Sequence, residues 1–201
     1  MTRSKTGNMK SMLPMNPALN ILAVSGSLRK GSSTTLLLQA LQHLAPENLQ
    51  LEIWENLDTL PHFNPDLDRE GEMNVQAVQD WREKVQKADG VLICTPEYAA
   101  GLPGSFKNAL DWLVGSGDMA DKPVAAVAAS PYPTSAEHAH TSLMLTLGML
   151  EARVPAENQL KIGLLSKKLN AQAEITDPEL NTELQRVLSA LQQTILQAQP
   201  V

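Results

Sequence analysis

The chain is poor in cysteine and in aromatic residues. Its 201 residues include a single cysteine, Cys94, so no disulfide can form within the chain. We therefore expect a reducing, cytoplasmic location, and we interpret Cys94 as a small buried hydrophobic residue in a strand. Aromatic residues make up only 3% of the chain, which favours core positions for Trp54 and Trp81 over ligand platforms.

Long hydrophobic runs and an excess of positive charge are also missing. No run reaches the roughly 18 apolar residues that cross a membrane, and the first 20 residues lack the apolar stretch of a signal peptide. The formal net charge of -6 argues against general binding of nucleic acid, which needs a basic face. We interpret residues 1–18 as a mobile tail and 19–201 as one domain.

Short apolar runs alternate with longer segments of helical periodicity. Strands are expected at 20–24, 49–55, 90–95, 123–130 and 158–164, and helices at 33–44, 74–88, 104–114, 136–150 and 177–197. Strand followed by helix, repeated in this way, predicts a parallel sheet with helices on both faces. In such sheets ligands bind beyond the carboxyl ends of the strands, so we look to the loops after strands one, three and four.

The loop after strand one reads SGSLRKGSS (25–33) and leads into a helix. Free backbone N–H groups at a helix N-terminus bind phosphate, and Arg29 and the neighbouring hydroxyls would add donors. Gly26 and Gly31 have the spacing of a triphosphate loop, but Ser32-Ser33 stand where that motif needs Lys-Ser/Thr. The dinucleotide fingerprint G-x-G-x-x-G is absent as well. A cradle for one terminal phosphate and an ordinary polar turn with a helix cap both stay open.

The loop after strand three begins TPEYAAGLPGS (95–105). Pro96 and Pro103 stiffen it, while Gly101 permits close approach to a ligand. Tyr98 lies just past the end of the strand, in position to face a planar ring. A rigid loop of this kind suits a flat aromatic ligand held against backbone groups.

Together these loops resemble those of the NAD(P)H-dependent FMN reductases, a family of the flavodoxin-like superfamily with azoreductase, quinone reductase and chromate reductase-type members. The resemblance rests on GSLRKGSST (26–34) and PEYAAGLPGSFKNALDW (96–112), and extends more weakly through ITDPEL (175–180). It implies an α/β fold: a flavodoxin-like, doubly wound, five-stranded parallel sheet of order 2-1-3-4-5 with helices on both faces.

The resemblance also implies a bound FMN, with NADPH or NADH as co-substrate. The positions matching the family's phosphate contacts are Ser27, Arg29, Ser32, Ser33 and Thr34. Those matching the segment along the isoalloxazine ring are Pro96, Glu97, Tyr98 and Gly101, and Ser130 fits the loop after strand four. We assign no catalytic side chain and no metal ligand, because hydride transfer from nicotinamide C4 to flavin N5 needs stacked rings and no side-chain base.

The implied activity is a ping-pong NAD(P)H oxidoreductase with a small-molecule electron acceptor. That acceptor is open: free flavin, a quinone, an azo or nitro compound, or a metal oxyanion. The alternative is a flavodoxin-like FMN electron carrier without nicotinamide activity, for which we would expect a T-x-T-G-x-T loop and a strongly acidic face. The family also implies a homodimer or homotetramer, with no membrane or nucleic-acid partner.

One segment departs from the family pattern. Many members carry a glycine-rich stretch after strand four, whereas this chain has SPYPTSAEHAH (130–140), which contains no glycine. We expect Tyr132 either to close part of the pocket or to alter which substrate stacks there.

Overall fold

The structure, a computed structural model, describes residues 18–68 and 75–198. The expected N-terminal tail, 1–18, lies outside the described residues except for Ala18. None of the helices in the described part of the chain combines the length and the apolar character needed to cross a bilayer.

Five parallel strands form one sheet in the order β2-β1-β3-β4-β5, which confirms the expected fold. The strands are β1 (Leu19–Ser25), β2 (Leu49–Trp54), β3 (Gly90–Thr95), β4 (Val124–Ala129) and β5 (Gln159–Ile162). Every residue of β3 and β4 is buried, as expected for strands covered on both faces. The alternating polar residues of β2 fit its position at the edge of the sheet.

Helices cover both faces of the sheet. They are α1 (Ser33–Leu44), α2 (Gln76–Lys87), α3 (Gly104–Asp111), α4 (Glu137–Met149), α5 (Leu165–Lys168) and α6 (Pro178–Ala198). The apolar stripes of α1 and α6 belong to one core cluster, and those of α2, α3 and α4 belong to the other. Helix α3 ends three residues before the expected 114. Trp112 directly follows the last helical residue, Asp111, and the chain turns there. The Trp112 indole N–H donates to the Pro61 carbonyl, and the Trp112 carbonyl accepts a hydrogen bond from Arg82.

The interior confirms the expected roles of Trp54, Trp81 and Cys94. The two tryptophans pack with ring centroids 5.6 Å apart and are 7% and 1% exposed. Cys94 is fully buried in β3, and burial raises the pKa of its thiol well above the ordinary value. The thiol is therefore protonated and unreactive in the folded protein.

The strand order creates a switch point between β1 and β3. The chain leaves β1 to form α1 on one face of the sheet, and leaves β3 to form α3 on the other. The loops after these two strands therefore diverge and leave a crevice at their carboxyl ends, which is where such sheets bind ligands.

Candidate functional site

Three loops meet at this crevice around a cleft of about 430 Å³. They are the loops that follow β1, β3 and β4. The lining residues are Arg29, Ser32, Ser33, Pro96, Glu97, Tyr98, Ala99, Ala100, Ser130, Pro131, Tyr132 and Thr134. Segments more than 90 residues apart in sequence thus form one site, of a size typical of small-molecule pockets.

The loop after β1 presents positive charge to the cleft. Ser32 caps α1, and its Oγ accepts a hydrogen bond from the Thr34 N–H at 3.3 Å. The first turn of α1 contains no acidic residue. Within residues 18–68 and 75–198, Arg29 has no carboxylate partner, and its guanidinium reaches only the Gly31 carbonyl, at 3.4 Å. A helix N-terminus beside an uncompensated guanidinium favours an anion.

Buried hydroxyls fix the shape of this loop. Thr34 is fully buried, and its Oγ1 lies 3.0 Å from Ser25 Oγ and 2.8 Å from Ser32 Oγ. Thr34 therefore does not line the cleft but orients Ser32, which does. Ser27 is also buried, and its Oγ lies 3.0 Å from the hydroxyl of Tyr98, so it links the loop after β1 to the loop after β3.

The loop after β1 packs directly against the end of β3. The Gly26 N–H donates to the Cys94 carbonyl at 2.8 Å. A Cβ atom on Gly26 would lie 2.6 Å from Thr95 Oγ1 and 3.2 Å from a ring carbon of Phe106. Glycine is required here by close approach, and this contact fixes the spacing between the two loops.

The loop after β3 ends in a tight turn. Tyr98 and Gly101 exchange both backbone hydrogen bonds, at 3.0 and 3.1 Å. Between them Ala99 and Ala100 adopt φ values of 49° and 56°, a left-handed conformation that alanine rarely takes. Gly101 closes this turn and does not itself line the cleft. Nothing in the sequence signals the turn, because Asn or Gly is the usual occupant of both central positions, and the role of Ala99 and Ala100 was missed.

Glu97 has a structural role that the sequence did not indicate. Its Oε2 accepts the backbone N–H groups of His138 at 2.8 Å and Ala139 at 3.0 Å. The carboxylate therefore caps the N-terminus of α4 while also lining the cleft. These two hydrogen bonds join the loop after β3 to the start of α4, which lies about 40 residues further along the sequence.

Glu97→Ala is expected to lower the free energy of unfolding by about 0.5–2 kcal/mol, because two first-turn N–H groups lose their acceptor. Thermal unfolding with and without FMN measures the loss. Glu137→Ala is the matched control, since it removes an exposed carboxylate from the same helical turn. The Glu137 carboxylate pairs with Lys161 and does not cap the helix. A Glu97 variant no less stable than this control would show that the cap does not hold α4.

Residues of α3 anchor a neighbouring segment and stay out of the cleft. Asn108 Oδ1 accepts the Phe63 N–H at 2.7 Å, and its amide donates to the Pro61 carbonyl at 2.9 Å. Lys107 pairs with Asp111 one turn along.

His62 lines a separate hollow of about 270 Å³, which Asn108 also lines. A larger hollow, of about 720 Å³, runs along the edge strand β2, away from the converging loops.

The cleft has the chemistry that a mononucleotide needs. Arg29, the hydroxyls of Ser32 and Ser33 and the start of α1 form one end, suited to a phosphate. Of the nine other lining residues, six are alanines, prolines or tyrosines, which suit a planar ring system, and the remaining three are Glu97, Ser130 and Thr134. In the described residues there is no group of three or more His, Cys, Asp or Glu side chains arranged to hold a metal ion.

Comparisons with known proteins give a consistent result. Residues 19–165 match the family model described as NADPH-dependent FMN reductase. A quinone reductase of Escherichia coli K12 is 31% identical over 166 residues, which cover 81% of this chain and 88% of that protein. An NAD(P)H-dependent FMN reductase of Pseudomonas aeruginosa is 30% identical over 180 residues, covering 89% and 96%. The structure of a flavoenzyme NAD(P)H:(acceptor) oxidoreductase from Paracoccus denitrificans superposes with a TM-score of 0.79 at 28% identity, covering 89% of this chain and 98% of that one.

Proposed function

The chain belongs to the NADPH-dependent FMN reductase family, and we propose that the cleft between the loops after β1, β3 and β4 is its FMN site. The protein is an FMN-dependent NAD(P)H oxidoreductase. The electron-carrier alternative is not favoured, since the relatives are named as reductases. The observation that supports the location is the convergence of three loops on a single cleft, one of them carrying a guanidinium that has no carboxylate partner within residues 18–68 and 75–198.

At one end of the cleft, the chain's own residues would bind a phosphate. Arg29 would pair with the phosphate oxygens, while Ser32, Ser33 and first-turn N–H groups of α1 donate hydrogen bonds. Thr34 and Ser27 support the cleft without lining it. The Thr34 hydroxyl hydrogen-bonds to Ser32, and the Ser27 hydroxyl hydrogen-bonds to Tyr98. We assign all five positions to phosphate binding or its support.

The other end of the cleft would hold a flat ring system. The segment Pro96–Tyr98 and the turn at Ala99–Ala100 offer a rigid backbone edge, because the turn is closed by two hydrogen bonds and Glu97 is fixed on α4. When bound, FMN supplies the acceptor for a nicotinamide hydride and the donor to a second substrate. The protein's part is to align the rings and exclude water from their contact.

We further propose that the acceptor is a quinone, as the names of the relatives suggest. We propose residues 19–201 as the FMN-binding domain, which assembles as a homodimer or homotetramer in the cytoplasm. A buried, protonated single thiol is compatible with that compartment.

The test is a reconstitution with a defined order of additions. Purified protein is stripped of flavin, loaded with FMN, and mixed with NADPH under anaerobic conditions. Loss of the 450 nm flavin absorbance without any acceptor establishes the reductase step, and its return on adding a quinone establishes the acceptor. A protein that gains no flavin from FMN would contradict the proposed site. A loaded protein that NADPH reduces but a quinone does not reoxidise would contradict the proposed acceptor.

A further inference from the structure

We propose that Tyr132 is a specificity-determining residue that stacks on the electron acceptor and selects planar fused-ring quinones over compact acceptors. This inference rests on the proposed function, because it concerns the same cleft. The loop that carries Tyr132, within residues 130–140, contains no glycine.

The distribution of aromatic side chains supports this role. The chain has two tyrosines, and both line the cleft, with Tyr98 48% exposed and Tyr132 70% exposed. The three tryptophans and Phe106 are buried in the core, and Phe63 packs edge-on against Trp112. Among the phenylalanine, tyrosine and tryptophan rings of residues 18–68 and 75–198, the exposed ones therefore lie on the walls of one cleft.

The backbone around Tyr132 is rigid although the side chain is exposed. Prolines flank Tyr132 on both sides and fix their own φ angles. The Tyr132 N–H donates to Ser130 Oγ at 3.0 Å, and its carbonyl accepts the Leu164 N–H at 3.1 Å.

The next part of the loop is packed against the end of β5. A Cβ atom on Gly163 would lie 2.9 Å from both the Pro133 carbonyl and Ser135 Oγ, so the two segments are in direct contact. Ser135 and Ala136 take φ values of 54° and 55°, and α4 begins immediately afterwards, capped by Glu97. The loop is thus held from β5 and from α4, and it presents the ring of Tyr132 without backbone freedom.

A ring held in this way is an efficient stacking surface. Tyrosine has two side-chain torsions to fix, and its backbone is already ordered, so little entropy is lost when a flat ligand stacks on it. The gain grows with the apolar area covered, which favours two fused rings over one. Glycine at this position would offer no such surface.

The reaction that Tyr132 would influence is the second half of turnover. Each NADPH gives up a hydride, which carries two electrons. A quinone takes that hydride equivalent and one proton from solvent and becomes a hydroquinone, so NADPH, H⁺ and quinone yield NADP⁺ and hydroquinone. Ferricyanide takes one electron per ion, so two ions are reduced for each NADPH and one proton is released. Ferricyanide has no aromatic face, and it therefore serves as an acceptor that cannot stack.

The experiment compares Tyr132→Ala and Tyr132→Phe with the parent protein, all loaded with FMN. For Tyr132→Ala we expect kcat/KM for 1,4-naphthoquinone to fall about tenfold, mainly through KM, and 1,4-benzoquinone to be affected less. Ferricyanide turnover and the rate of reduction by NADPH should fall by a clearly smaller factor, because neither depends on a ligand ring stacked on Tyr132. Tyr132→Phe should keep the naphthoquinone value to within about twofold, because the ring remains.

A binding measurement gives a readout independent of turnover. Calorimetric titration of the oxidised, FMN-loaded protein with naphthoquinone, without nicotinamide, should show the same roughly tenfold loss in Tyr132→Ala. Leu145→Ala is the matched control, since it removes an apolar side chain of similar exposure, 71%, from α4 outside the cleft. Melting temperature and oligomeric state are recorded for all variants and should not change.

Three results would overturn the proposal. The first is an equal loss for naphthoquinone and ferricyanide. The second is a loss in the rate of reduction by NADPH as large as the naphthoquinone loss, which would assign the ring to nicotinamide. The third is a change of oligomeric state, which would assign the ring to a subunit contact. Failure of the proposed function itself is distinguishable, because the parent protein would then bind no FMN or show no quinone turnover.

Discussion

Replacing Arg29 by alanine is expected to weaken FMN binding by about 10- to 150-fold. A charge-assisted hydrogen bond to a phosphate contributes about 1.5–3 kcal/mol, and each 1.4 kcal/mol changes affinity about tenfold. The guanidinium lines the cleft and forms no ion pair with a carboxylate of residues 18–68 or 75–198, so the phosphate would be its principal partner. Titration of flavin-free protein with FMN, followed by quenching of flavin fluorescence, measures the change.

Lys30→Ala is the matched control for this variant. Lys30 is the adjacent cation, is exposed, and does not line the cleft. Its loss changes the net charge by the same amount, so a general electrostatic effect would appear equally in both variants. Equal FMN affinity in the Arg29 variant and the parent protein would remove Arg29 from the phosphate site.

Gly26→Val is expected to lower the free energy of unfolding by about 1–3 kcal/mol and to abolish tight FMN binding. The new Cβ would fall 2.6 Å from Thr95 Oγ1, and Thr95 is a branched side chain at the end of a central strand that cannot swing away. Relief requires the loop after β1 to move outward, carrying Arg29 and Ser32 away from the loop after β3. Thermal unfolding and FMN titration measure the two effects.

Gly104→Ala is the control for glycine substitution near the same cleft. No heavy atom lies within 4 Å of its added Cβ, and Gly104 begins α3. Its stability and FMN affinity should match those of the parent protein. If Gly26→Val binds FMN as tightly as this control, then the spacing of the two loops does not control cofactor binding.

The fold was predictable because its signals are local. The buried strands are continuous apolar runs, the helices carry apolar stripes, and the two motifs 26–34 and 96–112 identify the family, whose sheet order follows. The early end of α3 was not predictable, because it depends on contacts of Trp112 with Pro61 and Arg82, which are distant in sequence.

The site was predictable in outline and not in its internal connections. Seven of the ten residues expected at the cofactor line the cleft, whereas Ser27, Thr34 and Gly101 lie behind it or beside it. The assignment of all ten residues to FMN stays a prediction. The cap that Glu97 forms on α4 and the left-handed turn at Ala99–Ala100 depend on three-dimensional placement. Residue propensities predict neither feature. A glutamate about 40 residues before a helix gives no capping signal, and a pair of alanines gives no turn signal.

The burial of Cys94 has a consequence for durability. Quinones, proposed here as acceptors, are electrophiles as well as oxidants, and they arylate thiolates irreversibly. This protein has one thiol, and that thiol is enclosed in β3 and kept protonated by its surroundings. An enzyme so built offers a quinone no thiolate, and it should survive many turnovers at quinone concentrations that inactivate thiol-dependent enzymes.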